Sequence, residues 1–92
     1  MLTHVSFLKN YNMETLFAEI KEIIRKYAFD KKLVDDAKES SRIIADLKIN
    51  SARVVDIVLD IEEKYDIEID DKSINKIITI QDAMNVISQK QG

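Results

Sequence analysis

The chain contains no proline, and its single glycine is the last of its 92 residues, Gly92. Tight hairpins call for positive φ, which glycine adopts without steric penalty, so a hairpin-rich β fold has no turn residues to build with. Helices joined by ordinary loops are what remain. At 92 residues the chain makes one small domain, too small to enclose a deep active site of its own. With 46% hydrophobic and 34% charged residues it has enough apolar material to fold as a globule.

The same inventory removes most chemistries. There is no cysteine, which excludes disulfides, Cys-ligated zinc and thiol nucleophiles. The one histidine is His4, near an end, so a Ser-His triad or a His-rich metal site has nothing to be made from, and an enzyme is poorly supported. A net charge of −3 argues against nucleic acid as a partner, because neutralising phosphates needs a concentrated basic surface. No apolar run approaches the roughly 18 residues of a membrane span. The segment Met1 to Asn12 lacks the basic start and apolar stretch of a signal peptide, so the expected location is cytoplasmic.

From Glu14 to Asp30 the residues Leu16, Phe17, Ile20, Ile23, Ile24, Tyr27 and Ala28 recur at the three and four spacing of an amphipathic helix. What precedes Met13 reads as an extension, which places the expected domain at 13–92 and the extension at 1–12. Lys31 to Ile49 mixes acids and serines with scattered Leu33, Val34, Ile43, Ile44 and Leu47, a long connection pinned by apolar anchors, with room for a short helix. Asn50 is a favourable N-cap and predicts a helix from Ser51 to about Tyr65. Val54, Val55, Ile57, Val58, Ile61 and Tyr65 fall on one side of it and Arg53, Asp56, Asp60, Glu63 and Lys64 on the other, with Leu59 at the rim of the polar side. Ile67, Glu68 and Ile69 alternate like a strand, but a lone strand has no partner, so an extended loop is expected. Asp70 and Asp71 can cap a short helix carrying Ile74 and Ile77. Thr79 with Asp82 resembles a capping box, with Asp in place of Glu, opening a last helix that faces inward through Ile80, Ala83, Met84 and Ile87. The fold class is all-α: a four-helix bundle with a long first loop and a short third helix.

Three features could carry chemistry. Asp66, Glu68 and Asp70 imitate the first ligands of an EF-hand loop, but Asp71 stands where the glycine belongs and Ile77 where the bidentate glutamate belongs, so calcium binding of that type is rejected. Between Asn50 and Lys72, eight acids face only Arg53, Lys64 and Lys72; this is either a solvated helix face or a docking surface for basic partners. Ser51 is either ordinary helix-start chemistry or an attachment point for a phosphate, which the unpaired N–H groups and positive end of a helix stabilise.

Taken together, Asp46-Leu47-Lys48-Ile49-Asn50-Ser51-Ala52, the helix that follows, Glu62-Glu63-Lys64-Tyr65-Asp66-Ile67-Glu68-Ile69 and Lys76-Ile77-Ile78-Thr79-Ile80-Gln81-Asp82-Ala83 strongly resemble the core of an acyl carrier protein. The likeness covers nearly all of the chain from Met13 onward. In that family the pattern is D-L-G-x-D-S-L, then an acidic helix ending in E-E-x-[FY]-x-x-x-I, and the serine carries 4′-phosphopantetheine. Here Asn50 replaces Asp, Ala52 replaces Leu, Lys48 stands at the usual glycine, Arg53 replaces a frequently acidic residue, Asp70 stands where proline is common and Lys72 replaces an acid. These departures point to a specialised carrier.

The resemblance implies an acyl-carrier-protein-like bundle that is a substrate of enzymes and not itself a catalyst. Ser51 would be the phosphopantetheine attachment residue, modified by a phosphopantetheinyl transferase, and acyl intermediates of fatty acid, polyketide or related biosynthesis would be held as thioesters. Asp56, Leu59, Asp60, Glu62 and Glu63 would meet acyl-transferring and ketosynthase-type enzymes with basic docking patches. Exposed ion pairs contribute only about 0.2 to 1 kcal/mol each, so such docking is expected to be weak, fast and salt-sensitive. Val55, Val58, Ile61, Tyr65, Ile69, Ile74 and Ile77 would wall an acyl-chain cavity; with no cargo they form the packed core in any case. The expected state is a monomer with no metal. The alternatives are an aminoacyl or peptidyl carrier protein, and an unmodified carrier-like interaction module, which Ala52 and Arg53 keep open.

Overall fold

In the computed structural model, residues 12–91 are described; His4 and all of the expected extension except Asn12 lie outside them. Asn12 caps the first helix, α1 (Met13–Arg25), its side chain accepting the Thr15 N–H at 2.8 Å. Leu16, Ile20, Ile23 and Ile24 form the buried stripe of α1. The helix stops short of the expected Asp30. Beyond Arg25 the N–H groups of Lys26, Tyr27 and Ala28 bond three residues back, which tightens the chain into turns, and Asp30 then caps a new helix.

Among the described residues that helix, α2 (Lys31–Asp35), is a fifth beside the four expected. Asp30 accepts the Lys32 N–H at 3.1 Å, Val34 is fully buried, and Arg25 grips Asp35 at 2.8 Å, tying α2 to α1. The hydrogen bond from the Arg25 guanidinium, with its charge, holds the Asp35 carboxyl below the usual range.

Of the expected anchors of the long connection, Val34, Ile43 and Leu47 are buried and Leu33 packs partly against the core, but Ile44 is exposed, and Ile49 is the buried residue that takes its place. A second set of pins is backbone: Ile43 N–H donates to the Ile78 carbonyl at 2.9 Å, Ile80 N–H to Ser41 at 3.1 Å and Gln81 N–H to Glu39 at 2.8 Å. They fasten the loop to the start of the last helix.

Helix α3 (Ser51–Tyr65) has the expected bounds and ends on Asp66, in the left-handed region with φ 55°. The segment 67–70 is a loop outside any strand, and leads into α4 (Asp71–Asn75), where Asp70 accepts the Ser73 N–H at 2.8 Å. The capping box at the head of α5 (Ile80–Gln91) is reciprocal: Asp82 accepts the Thr79 N–H at 2.9 Å and Thr79 Oγ1 accepts the Asp82 N–H at 3.1 Å. Helix α1 packs against α2, α3 and α5. Leu16, Ile20, Ile24, Ile49, Ile61, Ile80, Met84 and Ile87 are almost wholly buried, each contributing roughly 1.5–3 kcal/mol by leaving water. The all-α, acyl-carrier-like bundle expected from the sequence is the fold found, with α2 as an extra short helix inside the long loop.

Candidate functional site

Ser51 stands at the surface between a buried residue two positions before it and another six positions after it. Ile49 is 1% exposed and Ile57 3%, whereas Ser51 itself is exposed. Between these anchors Asn50 has extended geometry, its side chain accepting the Ala52 N–H at 2.9 Å while its carbonyl accepts the Arg53 N–H at 2.8 Å. Upstream, Lys48 is forced into the left-handed region at φ 59°. A side-chain-bearing residue pays roughly 1–2 kcal/mol there, which is the physical reason a glycine suits this position.

The capping side chain is that of Asn50, so the Ser51 hydroxyl is left over, and it makes no hydrogen bond to any described residue. Helix α3 has no acidic side chain in its first turn to offset the positive end of its dipole. An exposed, uncommitted hydroxyl at that end suits a phosphate ester, whose negative charge the helix terminus favours.

Down the solvent side of α3 the expected docking residues are present but differently occupied. Asp56 pairs with Arg53 at 3.0 Å. Asp60, placed by the sequence on the open polar face, instead leans on the turn after α1 and is only 23% exposed at its side chain, accepting the Tyr27 hydroxyl at 2.7 Å and Lys26 Nζ at 2.9 Å. The Tyr27 hydrogen bond and then the Lys26 ammonium push the Asp60 carboxyl below its ordinary pKa, while the same carboxylate raises Tyr27 and Lys26. Glu62 accepts the Ile69 N–H at 2.7 Å and so holds the loop after α3. Glu63 is exposed and makes no ion pair among the described residues, and Leu59 is 54% exposed.

Of the expected cavity wall, Val58, Ile61, Tyr65 and Ile69 are buried together in the core, and Ile74 and Ile77 are half-buried against it. Val55 does not join them. It is 54% exposed, because it lies about 120° round the helix from Ile61, past the edge of the buried stripe. A surface groove of about 410 Å³ lies elsewhere, lined by Glu19, Glu22, Ile23, Lys26, Asp60, Glu63 and Lys64. The residues that sequence reasoning missed are the partners across the α1–α3 seam. Besides Lys26 and Tyr27, Glu19 accepts the Tyr65 hydroxyl at 2.6 Å, and such pairs, far apart in the chain, leave no local signal. The Arg53 to Asp56 pair did carry one, at i and i+3.

No protein-family model matches the chain. It is 35% identical over 77 residues to a protein of Campylobacter lari named acyl carrier protein, covering 83% of this chain and 96% of that one. A protein of the same name from Thermotoga maritima is 33% identical over 81 residues, covering 86% and 95%. Another, from a Sulfurovum species, is 38% identical over 72 residues, covering 78% and 93%.

Proposed function

The chain belongs to the acyl carrier protein family, and on that premise we propose that it carries acyl intermediates on a 4′-phosphopantetheine arm attached at Ser51. The observation that supports the attachment is the exposed, unpartnered Ser51 hydroxyl at the first position of α3. The arm supplies the thiol that a cysteine-free chain lacks, on which acyl groups ride as thioesters. The protein is then a cytoplasmic, monomeric substrate of enzymes, first of a phosphopantetheinyl transferase and afterwards of acyl-transferring and ketosynthase-type partners.

Each part of the chain has a share in this work. Asn50 satisfies the helix end and so leaves Ser51 Oγ free to be modified. The buried Ile49 and Ile57 fix where the arm is rooted, so the arm moves and its anchor does not. Partners approach the face of α3 that bears Asp56, Leu59, Asp60, Glu62 and Glu63. Val58, Ile61, Tyr65, Ile69, Ile74 and Ile77 are the apolar walls against which a cargo chain can shelter. Intact mass spectrometry after incubation with coenzyme A and a broad-specificity phosphopantetheinyl transferase tests this directly. The wild type gains one phosphopantetheinyl group and Ser51→Ala gains none; an unmodified wild type leaves only a carrier-like interaction module.

A further inference from the structure

We propose that Lys48 holds the phosphate through which the arm is joined to Ser51, drawing it onto the first turn of α3, so that the root of the arm is fixed and its swing begins beyond the phosphate. The inference rests on the carrier reading above and adds a residue to the attachment site. A phosphodiester is an anion at neutral pH, and on Ser51 it stands at the positive end of α3. From Leu47 to Val55 the chain has two cations, Lys48 and Arg53, and no acid. The cap is the neutral amide of Asn50 and the first turn of α3 has no carboxylate, so nothing close in the chain repels an anion there.

Of the two cations, Lys48 is the one at liberty. Arg53 is bonded to Asp56 at 3.0 Å and, two residues beyond Ser51, lies about 200° round the helix from it. The acid nearest to Lys48 in the chain, Asp46, is occupied on both oxygens by Arg42. Its Oδ2 accepts the Arg42 backbone N–H at 2.8 Å and Nε at 3.4 Å, and its Oδ1 accepts Nη2 at 3.3 Å. Lys48 is exposed, and its ammonium makes no hydrogen bond or ion pair to any described residue. Its backbone is nonetheless fixed, at φ 59° between the buried Leu47 and Ile49. The Leu47 N–H donates to the Arg42 carbonyl at 3.0 Å and the Ile49 N–H to the Ile43 carbonyl at 3.3 Å. A lysine at that φ bears strain that glycine would not, and what it adds is a charge. Three residues of chain hold the Cα atoms of Lys48 and Ser51 within at most about 11 Å, a gap that a lysine's four-carbon stem and a seryl phosphate bridge between them.

The test compares the Tm of apo and loaded forms of the intact chain by circular dichroism at about 20 mM salt, where exposed charges are weakly screened. Loading uses coenzyme A and a broad-specificity phosphopantetheinyl transferase and is verified by intact mass. In wild type, loading should raise Tm by about 6 °C, roughly half from the helix end and half from Lys48, given what a helix-terminal charge and an exposed charge pair each contribute in a domain of this size. Lys48→Gln and Lys48→Met remove the charge and keep a side chain at the strained position, and loading should raise their Tm by only about 3 °C. Lys48→Arg should recover the wild-type rise. Because each loaded variant is compared with its own apo form, any effect of the substitution on the fold itself cancels. A rise in Lys48→Gln and Lys48→Met within about 1 °C of the wild-type rise, or no rise in wild type, overturns the inference while leaving the carrier reading intact. No mass gain on the wild type overturns both.

Discussion

Removing the Asp82 carboxylate should loosen α5 and, through it, the loop that delivers Ser51. Asp82 accepts two backbone N–H groups, from Ile78 at 3.0 Å and Thr79 at 2.9 Å, beside the three backbone bonds that fasten residues 39–43 to 78–81. Asp82→Ala leaves both donors without a protein acceptor, the Thr79 N–H half-buried and the Ile78 N–H open to water. A capping residue is worth about 0.5–2 kcal/mol and a second charge-assisted bond a similar amount, so the expected loss is about 2 kcal/mol. In a domain of this size that lowers Tm by roughly 8 to 16 °C. Asp82→Asn keeps a single carbonyl acceptor and should lose about half as much. The hydrogen bonds from Thr79 and Ile78 hold the Asp82 carboxyl below its ordinary pKa. Its contribution is therefore complete above the unfolded value, about 4, and disappears as the pH falls through the lower folded value. Urea unfolding followed by far-ultraviolet circular dichroism, from about pH 7 down to about pH 2, should show wild type and Asp82→Ala far apart at the top of that range and converging at the bottom. A difference below about 0.5 kcal/mol at neutral pH, or one that persists undiminished in acid, refutes the reasoning.

Lys48→Gly should stabilise the chain by about 0.5 to 1 kcal/mol, because relief at φ 59° exceeds the added freedom of the unfolded backbone; chemical denaturation decides it, and a loss of stability counts against it. Ile24, fully buried, should lose about 3 kcal/mol as Ile24→Ala, whereas Phe29→Ser, at a side chain 98% exposed, should stay within about 0.5 kcal/mol of wild type by the same assay. In Tyr27→Phe the Asp60 carboxyl loses the first cause of its lowered pKa and should titrate at higher pH, as followed by NMR; an unchanged titration would show that Lys26 alone sets it.

Much of the fold is legible because its punctuation is local. Asn50 and Asp70 each cap a helix through one backbone N–H, and Thr79 with Asp82 form their box over three residues, so short-range chemistry set these starts in advance. Helix α2 was harder to see: in five residues it buries only Val34, too little for any period to register. The end of α1 was overshot because Tyr27 and Ala28 continue the apolar spacing after the backbone has changed to turns. In the site, the position of Ser51 and the exposure of Leu59 could be read from a helix wheel. The wheel assigns Val55 to the apolar side, but only at its margin, where a few tens of degrees decide between core and solvent. The wheel puts Asp60 on the polar side and is silent on its partners, Lys26 and Tyr27, which come from the turn after α1 more than thirty positions earlier.

Two phenols tie the α1 side of the seam to α3: Tyr65, at the last position of α3, donates to Glu19, and Tyr27, in the turn after α1, donates to Asp60. On α3 the two ties stand about 7.5 Å apart along the axis, so that stretch of the seam does not widen without breaking one. Helix α4, five residues with no side chain fully inside the protein, has no side-chain hydrogen bond or ion pair to another helix among the described residues, so it parts from the core at lower cost than that seam does.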